Sequence, residues 1–222
     1  MGKKDDILAP DHGDSVGPYY DERAALITAA EEVLARGGWW GFKVESVLRQ
    51  ARLSTRSFYR QFETKDDLLA AVLERHLLRI AVAVEGIIDT TSPIQERLWQ
   101  YVNALIAWGF DREFAKPAAL FAASLRGLRP QHAEQVERCL SALTAPLVEV
   151  LVEGRRHNVI TTDDPPGDAR IVLVLIGSAL YDGPATDDEA IREHLGRVVV
   201  PFIARSFGVD VPASGLPALL TK

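Results

Sequence analysis

Between residues 44 and 65 the apolar positions fall into two short helical periods separated by a break. Val44, Val47, Leu48 and Ala51 recur at i, i+3, i+4 and i+7, which predicts one buried face of a short helix. Arg52, Leu53 and Ser54 interrupt that period, and Phe58 and Phe62 resume it one turn apart. Two short helices joined by a tight turn make a helix-turn-helix. Ser54 is placed to cap the second helix through its side-chain oxygen. The outer side of that helix then presents Thr55, Arg56, Ser57, Tyr59 and Arg60, groups able to reach phosphates and base edges.

The rest of the chain also follows helical periods. A first helix is predicted over about Asp21 to Arg36, with Leu26, Ile27, Ala30, Val33 and Leu34 buried and Gly37-Gly38 ending it. Trp39, Trp40 and Phe42 are expected to pack the following turn. Thr64 with Asp67 three residues on is close to a capping box and opens a long fourth helix through Leu68, Leu69, Val72, Leu73, Leu77, Ile80 and Val84. Pro93 and Pro117 open two more; Gly127 and Pro130 close the second, and a longer helix from about Gln131 is predicted to bend at Pro146.

The stretch Ala169–Leu180 is apolar on every side and could be a buried strand. Its place before a last amphipathic helix, about Asp187 to Phe207 with a kink at Pro201, favours a helix buried on both faces. One face of each of these two helices is expected to pack inward and the other to meet a second copy of the chain. Val172, Leu175, Ile176, Val199, Phe202 and Ile203 are the interface candidates, with Val199 as an outward position. The fold class expected is all-α: an N-terminal helix-turn-helix DNA-binding domain and a larger C-terminal helical domain that carries the dimerisation helices. The expected boundaries are a disordered arm over 1–18, the DNA-binding unit over 19–66 and the larger domain over 67–222.

Charge changes the picture only when counted locally. The 222 residues carry a formal charge of −6, which does not suggest a nucleic-acid binder. From Lys43 to Lys65, however, six basic residues face two acidic ones, a local balance of +4 that leaves −10 on the remainder. A basic module on an acidic body draws a duplex to one end and repels it elsewhere.

These residues resemble the TetR-type transcriptional regulators. The motifs that carry the resemblance are Gly41-Phe42, Ala51-Arg52-Leu53-Ser54, Tyr59-Arg60-Gln61-Phe62 and Thr64-Lys65-Asp66-Asp67-Leu68. The resemblance implies that Tyr59 and Lys65 hold phosphates, that Thr55, Arg56, Ser57 and Arg60 face the major groove, and that Leu53, Phe58 and Phe62 are core. Arg52 stands where the family usually has Gly, at a position where positive φ is often wanted. Lys43 stands where the family usually has a Thr, placing an ammonium at a phosphate in place of a hydroxyl.

In this family the central helices enclose an inducer pocket. The resemblance therefore makes Trp99, Asn103, Trp108, Phe110, Phe114 and Phe121 candidates to bind a small, largely apolar effector, with plain core packing of the aromatics as the alternative. The function expected is a homodimeric repressor released from a palindromic double-stranded DNA operator by that effector. An activator or a ligand-independent regulator is the alternative, and an enzyme built on the larger domain is a more distant one.

Chemistry of other kinds is not spelled out. There is no Gly-rich phosphate loop, no Gly-x-Ser-x-Gly elbow and no Cys/His pair at metal spacing, so no catalytic residue, cofactor or metal is expected. Asp163, Asp164 and Asp168 lack the alternating ligands of a calcium loop. Cys139 is single and reads as a small core residue. No long uninterrupted apolar segment and no apolar signal-peptide core occur, so a cytoplasmic protein without membrane partners is expected.

Overall fold

The computed structural model describes residues 18–37, 42–110, 115–181 and 187–211, with side chains described over 22–37, 42–110, 131–180 and 187–211. It is helical throughout, without a strand among the described residues. The elements are α1 (Pro18–Gly37), α2 (Val44–Ala51), α3 (Thr55–Gln61), α4 (Lys65–Ile87), α5 (Ile94–Phe110), α6 (Ala115–Arg156), α7 (Pro165–Tyr181) and α8 (Asp188–His194). A π-turn (Leu195–Val199) then leads into α9 (Val200–Phe207).

Local chemistry accounts for the boundaries near the N-terminus. Arg52 closes α2 in the left-handed region, at φ 56 and ψ 38, and the N–H groups of Arg52 and Leu53 both donate to the Leu48 carbonyl. The position where a Gly is usual thus has the backbone a Gly would take, carried by an arginine. Ser54 Oγ accepts the Ser57 N–H at 3.1 Å and caps α3. Thr64 Oγ1 accepts the Asp67 N–H while Asp67 Oδ2 accepts the Thr64 N–H at 2.8 Å, a complete capping box that starts α4.

Two apolar clusters organise the packing, and α4 contributes to both. In the first, Leu26 and Val33 of α1, Val47 of α2 and Phe58 and Phe62 around α3 pack on Leu69 of α4. This cluster is completed by Val136 and Leu140 from α6, with Leu173 of α7 against it. The second gathers Val84, Leu98, Val102, Leu147, Leu151 and Ile203, among others, from α4, α5, α6 and α9. Each such side chain contributes about 1.5–3 kcal/mol by leaving water. At 23 residues, α4 is roughly 35 Å long and ties the two clusters together.

The second half of the chain differs from the pattern-based expectation in several ways. The separate helices expected over 117–130 and from Gln131 join in α6, broken only at His132 (φ −121, ψ 28). At Pro146, where a bend is expected, the backbone keeps helical dihedrals, with Leu143 and Leu147 buried on either side. At the C-terminal end Pro201 has no N–H to give, and the chain widens just before it: the Val200 N–H reaches back to the Leu195 carbonyl, five residues away. The kink expected at Pro201 is thus taken up as a π-turn.

A further difference concerns which sides of α7 and α9 face out. Val172, Ile176, Val199 and Ile203 are buried in the core of the chain itself, Val199 at 5% exposure, so none of them is an outward position. Leu175 is half-buried and Phe202 is 47% exposed. The apolar residues that these elements leave in solvent are Ile171, Val174, Val198 and Phe202. A helix apolar on all sides has no moment in its sequence to show which side wins the core.

Candidate nucleic-acid interface

The site is built on α3, whose inner face is fixed by apolar burial and whose outer face carries exposed polar and aromatic side chains. Phe58 and Phe62 are almost fully buried and stack at 5.9 Å between ring centroids. Phe58 also meets Tyr59 edge-on at 5.3 Å, which braces a phenol ring that is itself 65% exposed. Thr55 and Arg56, in the first turn, are exposed, as are Lys43 ahead of α2 and Arg52 in the turn. These groups lie on the stretch Lys43–Lys65, where six basic residues stand against two acidic ones, a balance that would favour a duplex electrostatically.

Ser57 does not join them. It is 9% exposed, and its hydroxyl lies 3.2 Å from Ser54 Oγ within the cap. The expectation that it faces the groove is corrected: as the third residue of a capped helix it is turned toward the cap oxygen, away from the outer face.

Lys65 has a double position. Its Nζ donates to the Phe42 carbonyl at 3.1 Å and sits 5.2 Å from the centroid of the Phe42 ring. The ammonium therefore ties the start of α4 to the segment before α2, and its other two donor protons can serve a phosphate. Phe42 itself is 3% exposed and packs the turn as expected; Trp39 and Trp40 lie outside the described residues.

Arg60 is held by α1. Its guanidinium pairs with the Glu22 carboxylate, while Arg23 donates to the Gln61 carbonyl at 3.2 Å and lies 4.4 Å over the Phe62 ring. Reasoning from the sequence missed Glu22 and Arg23 as parts of the site. The partners are 38 residues apart, and no local period connects them.

The effector candidates sit in the larger domain in several different roles. Trp99 is buried, and its indole N–H donates to the Asp210 carbonyl at 3.1 Å, pinning the segment after α9 to α5. Asn103, Trp108 and Phe110 are half-buried, and the Arg192 guanidinium lies 4.5 Å over the Phe110 ring. Phe114 lies outside the described residues, as does the side chain of Phe121. Tyr101, also on α5, is fully buried. Its hydroxyl donates to the Leu143 carbonyl, and burial pushes its phenol above its ordinary pKa.

Residues 26–72 match the family model described as bacterial regulatory proteins, tetR family. The chain is similar to the HTH-type transcriptional activator FasR of Mycolicibacterium smegmatis, 25% identical over 184 residues, 79% of this chain and 80% of that one. It is also similar to the HTH-type transcriptional repressor SCO4008 of Streptomyces coelicolor, 26% identical over 163 residues, 70% of this chain and 76% of that one. Among solved structures, RolR in complex with resorcinol shares the fold with a TM-score of 0.65 at 17% identity, covering 86% of this chain and 90% of its own. With its capped α3 and the family match over residues 26–72, the N-terminal part of the chain is a TetR-type DNA-binding domain, and over most of its length the chain is similar to HTH-type transcriptional regulators.

Proposed function

We propose that this protein is a homodimeric repressor that binds a near-palindromic DNA operator through α3 and releases it when a small, largely apolar molecule occupies the larger domain. The observation that carries the reading is the outer face of α3, where Thr55, Arg56 and Tyr59 are exposed on a helix whose inner face is locked by Phe58. Arg56 and Arg60 are the groups suited to a guanine edge, and Lys43, Tyr59 and Lys65 to phosphates. Residues 19–66 would be the reading unit and 67–222 the effector and dimerisation domain, in the cytoplasm. Among the described residues no helix is long and apolar enough to cross a membrane.

A dimer follows from the exposed apolar residues of α7 and the C-terminal helices, Ile171, Val174, Val198 and Phe202, which a second copy would cover. Two reading heads then span successive major grooves, as a palindromic site requires. The effector reading rests on the half-buried Asn103, Trp108 and Phe110 and on the resorcinol bound by the structurally similar RolR. Val136, Leu140 and Leu173 support a path for coupling, since they belong to the larger domain by position and to the reading head's core by packing. An effector acts only through its preference between the DNA-competent and released states.

The test is a gel shift with the DNA flanking the protein's own gene, followed by titration with planar and acyl compounds. Specific retardation relieved by one of them is expected; no preference over random duplex would end the reading. One relative is named an activator, which favours a second reading in which the same binding raises transcription. A reporter driven from the bound site, with and without the gene for this protein, separates the two.

A further inference from the structure

We infer that Glu22 is a specificity-determining positioning residue for DNA reading, acting through Arg60; this rests on the proposed role of α3. The Glu22 carboxylate pairs with the Arg60 guanidinium across 38 residues of chain, with side chains 22% and 37% exposed. The contact belongs to a two-point grip. The next residue, Arg23, binds the Gln61 carbonyl and covers the Phe62 ring, so consecutive positions of α1 hold the last turn of α3 by its side chain and by its backbone.

A long arginine at the open end of a short helix would otherwise sample many rotamers and settle on any nearby phosphate. Phosphates are everywhere along a duplex, so such contacts raise affinity without information. A carboxylate on one edge of the guanidinium changes both terms. It cancels much of the charge that draws Arg60 to phosphate, and it limits the orientations that the planar fork can take. Two parallel N–H donors at fixed spacing suit the O6 and N7 acceptors of a guanine, and the rotamer entropy of that contact is already spent. Glu22 thus weakens random binding and favours one base step.

The test uses the full-length protein and a duplex selected by the wild type from a randomised library, with a scrambled duplex as reference. Glu22→Gln removes the charge at nearly constant shape. It is expected to lower the selected-to-scrambled affinity ratio about tenfold, the low end of the value of one bidentate contact. The loss should come mainly from tighter binding to scrambled DNA, with a salt slope steeper by about one counterion. Glu22→Asp, which keeps the charge, should recover part of the ratio. In an Arg60→Ala background Glu22→Gln should change neither quantity, an outcome that a purely structural role for Glu22 would not produce. If Arg60→Ala lowers the ratio but Glu22→Gln leaves it within about twofold, the positioning role is overturned while the reading of α3 stands. If Arg60→Ala leaves the ratio unchanged, the assignment of Arg60 to a base fails, and the role of Glu22 with it.

Discussion

His132 Nε2 lies 3.4 Å from Asp67 Oδ1, within ion-pair reach but without hydrogen-bond alignment, and the other oxygen of that carboxylate caps α4. The ring sits at the backbone break in α6, so the one non-helical residue of that helix touches the first turn of the helix that carries Lys65. One turn further along α6, Gln135 donates to Glu74 of α4 at 2.8 Å, and Val136 enters the reading head's core. A shift of α6 at this point must disturb the start of α4.

Asp67→Ala is expected to destabilise the protein by about 1 kcal/mol through loss of the capping box, measured by denaturant unfolding. It should also weaken DNA binding, because α4 begins at Lys65. A double-mutant cycle between Asp67 and His132, read as operator affinity, should show a coupling of about 0.5–1 kcal/mol. Strict additivity would mean that the contact transmits nothing.

Arg52 holds a left-handed conformation that costs an L-residue on the order of 1–2 kcal/mol. Arg52→Gly relieves that cost but frees the unfolded chain, so a net gain of about 0.5 kcal/mol in unfolding free energy is expected. Loss of stability on this substitution would show that the arginine side chain contributes more than its backbone costs.

A second copy would dock on the apolar residues that the fold leaves outside. Phe202→Glu or Val174→Lys should yield a folded monomer with much weaker binding to a palindromic site, seen by sedimentation and gel shift. Val199→Asp should instead unfold the protomer, because Val199 is buried in it. A wild-type monomer at micromolar concentration would remove the interface.

The DNA-reading unit was legible in the sequence because its determinants are local. Ser54, Thr64 and Asp67 cap within three residues, and Phe58 and Phe62 share a face by spacing alone. What escaped was long-range or symmetric. The grip of Glu22 and Arg23 on α3 joins distant positions, and the inward turn of Ser57 depends on its cap partner. The apolar ring of α7 gave no direction until α5, α6 and the π-turn were packed against it. The π-turn before Pro201 needed only the missing N–H to anticipate a disturbance, but its form depends on Leu195 and Val199 both finding the core.

Burial lowers the pKa of His76, on α4, from 6.5 to about 4, with the nearby Glu31 opposing the shift and Arg79 adding to it. The unfolded chain takes up this proton at higher pH than the folded one. Stability is therefore fully present above about pH 6.5 and falls as pH drops toward about 4, by on the order of 3 kcal/mol in total. Unfolding free energies measured across that window should show the slope, and His76→Gln should flatten it. An unchanged slope in the variant would assign the acid sensitivity elsewhere.

The most direct test of DNA reading by α3 is fluorescence anisotropy of wild-type protein and Arg56→Ala on the selected and scrambled duplexes at fixed salt. Arg56 is exposed in the first turn of a helix whose cap is intact without it, so the variant should fold normally. The account predicts that Arg56→Ala loses about 1–3 kcal/mol on the selected duplex and far less on the scrambled one. Equal losses on both, or no loss on either, would contradict the claim that this helix reads the sequence.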